Sequence, residues 1–85
     1  MSIELNQSIL QSISTANPHI NNAAVAANQY TEMCKEGRIS TQELQELLLD
    51  IQRQVNIEQS MSDLENLERL NTAINGLISI AKMAV

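Results

Sequence analysis

Apolar positions along this chain recur at helical spacing. Leu5, Ile9 and Ile13 return every four residues, which gathers them on one stripe of an α-helix. With Ile3 and Leu10 they predict an N-terminal helix over about 3–15. The interspersed Ser and Asn weaken its intrinsic propensity, so residues 1–16 are expected to form a semi-independent arm that orders on a partner. Asn17-Pro18 then marks a helix start: Asn caps well, and proline suits the first helical position, where its missing N–H costs nothing. The spacing predicts a helix over 18–36, lined by Ile20, Ala23, Ala24, Ala27, Tyr30 and Cys34. Its small residues let another helix approach closely but supply little core of their own.

The next junction is written in overlapping signals. Gly37 stands where a glycine ends a helix in the left-handed conformation. Ser40 is an N-cap, with Glu43 three residues on as its capping-box partner. Ile39 and Leu44 flank the cap as a hydrophobic staple. The short connection predicts an antiparallel helical hairpin.

From Thr41 to Met83 there is no proline, and Gly76 is the only glycine. Leu44, Leu48, Ile51 and Val55 share one face, while Ile57, Met61 and Leu64 point almost oppositely at 100° per residue. A third, broader stripe of Leu67, Leu70, Ile74, Leu77, Ile78 and Ala81 lies between the two. The pattern favours one continuous helix over 41–83 that is phase-shifted or kinked; the alternative is a break near 57–62, with Ser62 and Glu65 as a second capping box. The expected fold is therefore all-α: a hairpin of 18–36 with 41–83, plus the N-terminal helix.

Composition narrows the function. At 85 residues the chain has room for one small domain. Tyr30 is its only aromatic residue, so any core is aliphatic. Ten acidic residues against five basic ones give a net charge of −5, and the basic residues are scattered. That distribution disfavours nucleic acid and membrane surfaces as partners. MSIELNQSIL begins with an acid and lacks the basic start of a secretory leader, and no apolar run has the length of a membrane span. A cytoplasmic location in the producing cell is expected.

Candidate chemistry is sparse. EMCKEGRISTQE (32–43) has the glycine, isoleucine and terminal glutamate of an EF-hand loop. Its third position, however, is Cys34, a soft ligand for a hard cation, and Lys35 and Arg38 put two cations beside the site. Helix stop, staple and capping box explain the same residues. Cys34 lacks a second cysteine to pair with, and His19 has no second ligand or nucleophile at a telling spacing. Neither a nucleophile elbow nor a phosphate loop occurs. A helix-turn-helix reading of the Gly37 turn fails on the acidic TQELQELLLD that would be the recognition helix. No cofactor, metal or enzymatic activity is expected.

STQELQELLLDIQRQVNIEQSMSDLENLERLNTAINGLISIAKMAV, about the last half of the chain, resembles small all-helical virion-associated proteins of tailed bacteriophages. It shares their acidic capped start, Gln-rich middle and apolar end rich in small residues. The resemblance implies a structural or accessory, non-catalytic role, with incorporation in a virion. Size and hairpin plan are also similar to helical-hairpin subunits and small chaperones of type III secretion. Neither resemblance transfers any functional residue.

These readings converge on an interaction protein. Leu44, Leu48, Ile51 and Val55 are expected to pack inside the chain on Ile20, Ala24 and Ala27. Leu67, Leu70, Ile74, Leu77 and Ile78 are expected to form the interface with a second copy or a larger assembly. The alternative is a small chaperone or acidic inhibitor of a single protein partner.

Overall fold

The computed structural model describes residues 3–15, 17–57 and 64–83. They form four α-helices: α1 (Ile3–Ser12), α2 (Pro18–Lys35), α3 (Thr41–Ile57) and α4 (Leu64–Met83). No strand occurs among the described residues.

Each boundary has a local cause. The first helix ends at Ser12, short of the predicted 15, with its last turn tightened as Ile13 N donates to the Leu10 carbonyl. The next residues serve the following helix instead. The Thr15 carbonyl accepts from Asn21 Nδ2 at 2.6 Å, and Asn17 Oδ1 accepts from the His19 amide at 2.9 Å, with Pro18 opening the helix. Helix α2 stops in a Schellman motif. The Arg38 amide donates to the Met33 carbonyl and the Gly37 amide to that of Cys34, and Gly37 adopts φ 77°. Helix α3 starts in a reciprocal capping box: the Glu43 amide donates to Ser40 Oγ at 3.0 Å, and the Ser40 amide to Glu43 Oε1 at 3.1 Å.

The continuous helix favoured over 41–83 is overturned. α3 and α4 pack against each other, and Gln52 Nε2 donates to Asn71 Oδ1 and Asn75 Oδ1. In one straight helix residues 52 and 75 would stand roughly 35 Å apart. The phase shift in the stripe therefore records a reversal of direction. The proposed Ser62–Glu65 capping box and the Met61 position lie outside the described residues, since Ser62 and Met61 both do.

The helices run alternately up and down. Gln7 meets Asn28 and Glu32; α3 meets α4 through Gln52, Asn71 and Asn75; and Asn66 of α4 donates back to the Ser14 carbonyl. Helix α4 touches all three others, and α2 and α4 meet across the short diagonal of the bundle. The alanines of α2 permit that approach: Ala24 and Ala27 are fully buried, as is Ala73 of α4. Leucine, isoleucine and Val55 from α3 and α4 fill most of the rest, with Leu10, Ile13 and Ile20. The radius of gyration, 12.0 Å, equals the roughly 12 Å of a compact chain this long.

The N-terminal helix is part of this core. It packs on both α4 and α2, which removes the semi-independent arm. Its buried face also differs from the expected stripe. Leu5 is 54% exposed, whereas Asn6, Gln7 and Leu10 are buried. Gly76 explains the rotation: a Cβ there would come within 2.9 Å of Asn6 Cγ. The glycine makes room for a polar side chain at the α1–α4 crossing, and the larger aliphatic beside it turns outward.

Candidate functional site

Alternating direction brings the starts of α1 and α3 to the same end of the bundle as the finishes of α2 and α4. Four helix ends with side chains of unequal reach leave a gap there. A cavity of about 220 Å³ lies between them, walled by Ile3, Cys34, Leu44, Leu77, Ile80 and Ala81. Thr31, Leu44, Leu77 and Ala81 form its buried floor, while Ile3, Cys34 and Ile80 are half-buried at its edge. The Thr31 hydroxyl donates to the Ala27 carbonyl at 2.8 Å, so the floor's polar group is satisfied within its own helix.

A polar cluster sits beside this end. Gln7 Nε2 donates to Asn28 Oδ1 and Glu32 Oε1, both at 3.0 Å. Lys35 Nζ donates to Gln7 Oε1 at 3.2 Å and to Glu32 Oε1 at 3.5 Å. The amide donated by Gln7 and the ammonium of Lys35 hold the Glu32 carboxyl below its ordinary value of 4.5. Lys35 and Thr41 also border the cavity, so the edge carries a cation and the first residue of α3.

A second concavity crosses the outer face of α1 and α2, with a volume of about 380 Å³. Its floor is Leu10, Ile13 and Ala24; its rim is four carboxamides, Gln11, Asn21, Asn28 and Gln29. Val25, 55% exposed, stands on its lip. No charged residue lines it.

The residues singled out by sequence fall into three places. Gly37, Ile39, Ser40, Glu43 and Leu44 lie together at the α2–α3 turn, with Leu44 buried and Ile39 packed on the core. Ile20, Ala24, Ala27, Leu44, Leu48, Ile51 and Val55 are all buried within the chain. Leu67, Leu70, Ile74, Leu77 and Ile78, expected at an intermolecular interface, are buried too, at 0–7% exposure. That assignment is corrected: α1, α2 and α3 cover the α4 stripe and leave no exposed face of it for a protein interface, although Leu77 also lines the cavity at the shared helix ends.

Glu32 and Cys34 belong to α2, so the stretch that mimics a calcium loop begins inside a regular helix. Among the described residues no three His, Cys, Asp or Glu side chains cluster as a metal site would require. Nor is any helix among them long and apolar enough to cross a membrane. Asn6 and Gln7 were missed by sequence reasoning. Their polarity argued for solvent, and the signal that places Asn6 inside, a glycine seventy positions away, is not local.

Set against protein-family models, curated proteins and solved structures, the chain matches none.

Proposed function

We propose that this is a non-enzymatic interaction protein that self-associates through the outer face of α1 and α2. The observation that carries the reading is the carboxamide-rimmed groove with Val25 on its lip. The chain bears a net charge of −5, so two copies approach with least repulsion where no charge stands. Asn and Gln both donate and accept, which lets an amide pair with its own kind across a two-fold axis. An isologous contact requires that self-complementarity. Val25 on the lip supplies the exposed apolar area, above a floor of Leu10 and Ile13 that is already buried. The role as a structural or accessory component of a phage virion rests on the resemblance of the C-terminal half.

Light scattering across a concentration series tests this reading. The wild-type mass is expected to rise toward twice that of one chain. Val25→Asp, at an exposed position, should hold the protein monomeric with unchanged helix content. A wild-type chain that stays monomeric at every concentration removes the self-association. A variant that associates like the wild type moves the contact to another face.

A further inference from the structure

We propose that the cavity at the shared helix ends binds a small anionic amphiphile, with an aliphatic chain in the cavity and a carboxylate head at Lys35. This inference goes beyond self-association, whose groove lies elsewhere, on the outer face of α1 and α2.

The interior of the cavity selects for an apolar occupant. Dry cavities of about 150 Å³ lined by Leu, Ile and Phe take up benzene or xenon. This one measures about 220 Å³ and is walled by Ile, Leu, Ala and Cys side chains. A water needs two to four polar partners to be held. The Thr31 hydroxyl on the floor is already committed to Ala27.

Lys35 and the first turn of α3 offer a carboxylate its donors at the edge, against the negative dipole ends of α2 and α4 that finish at the same end of the bundle. Lys35 Nζ makes two hydrogen bonds, to Gln7 and Glu32, which leaves one of its three donors. Thr41 opens α3, where first-turn amides lack intrahelical partners and the helix dipole is positive. The Glu43 amide is already engaged by Ser40 Oγ, so the remaining amides are those before it. Four carboxylates stand at this end: Glu32 is engaged by Gln7 and Lys35, Glu43 by the Ser40 amide and Glu36 by Arg38, while Glu4 lies exposed in the first turn of α1. An alkanoate satisfies both demands together, with its chain against Leu44, Leu77, Ile80 and Ala81 and its head at the edge.

The test titrates the full chain with linear alkanoates from butyrate to decanoate, each kept below its micellar concentration, and with the alkanols of equal chain length. Two-dimensional NMR follows the Ile3, Cys34, Leu44 and Ala81 signals. Affinity should rise with chain length and level off once the cavity is full, and each alkanoate should bind roughly tenfold tighter than its alkanol. Lys35→Gln should erase that preference and leave alkanol binding unchanged. Ala81→Leu should fill the cavity and abolish binding of both. Should Ala81→Leu not fold, Cys34 in the wild type gives an independent readout, since octanoate should slow its alkylation by iodoacetamide several-fold. Absence of saturable shifts at these residues overturns the site. Alkanols that bind as tightly as alkanoates, or a Lys35→Gln variant that keeps the preference, overturn the anionic head.

Discussion

The α2–α3 turn and the α1–α4 crossing join helices by opposite means. At the turn, Gly37, Ser40 and Glu43 act within a few residues of one another, on the surface, through backbone and capping hydrogen bonds. At the crossing, Asn6 and Gly76 meet in the interior across seventy positions, and the contact depends on the absence of one methyl group. A connection made locally can be altered at modest cost, because solvent and neighbouring backbone replace what is lost. One made by burial fits only while the side chains on both sides keep their size.

Substitutions that sharpen this contrast have graded effects. The largest is expected in the α4 core that the crossing covers. Leu70 is wholly buried, and Leu70→Ala should cost about 2–5 kcal/mol in chemical denaturation. Gly76→Ala comes next. Alanine gains about 1 kcal/mol of helix propensity, but its Cβ runs into the Asn6 side chain. Overpacking of that kind costs about 1–3 kcal/mol, so a net loss is expected. In an Asn6→Ala background the same change should become stabilising. A loss that persists there would show that Asn6 is not what the glycine accommodates.

At the turn, Ser40→Ala removes the cap of α3 and should cost about 1 kcal/mol. Gly37→Ala meets no atom within 4 Å, so only the left-handed backbone opposes it, again at about 1 kcal/mol. A turn variant that unfolds the protein as thoroughly as Leu70→Ala would erase the distinction between the two regions.

The smallest effect is that of Glu32, on the exposed side of the α1–α2 contact. Its carboxyl is held below the ordinary value of 4.5 by Gln7 and Lys35, so the folded state favours the ionised form. The contribution is present above that ordinary value and is lost as the pH falls through the lowered one. Thermal scans of Glu32→Gln should therefore show a weaker acid dependence than the wild type below about pH 5. Identical acid limbs would remove Glu32 from the account.

The same contrast decides what could be read from sequence. Gly37, Ser40 and Glu43 announce the turn because each acts on its own backbone neighbourhood. The alanine face of α2 and the Leu44–Val55 stripe likewise fall inside. An amphipathic stripe records that a face is covered, without recording by what. The stripe from Leu67 to Ile78 therefore suggested another molecule, whereas the covering is this chain's own α1, α2 and α3. The stripe of Leu5, Ile9 and Ile13 failed only at Leu5, since Ile13 is buried and Ile9 packs on the core: hydropathy ranks Leu5 above Asn6, and Gly76 reverses that order. The cavity left no trace in sequence, since it arises from mismatched side-chain lengths at four separate helix ends.

The Asn6–Gly76 contact also has a consequence in time. At translation rates of about 5–20 residues per second, the seventy positions between them take roughly 4–14 s to synthesise. For most of that interval α4, one of the two helices that α1 packs on, has not been made. Leu10 and Ile3 of α1 then have only α2 to lie against. The α1–α4 crossing closes only after Gly76 has been added.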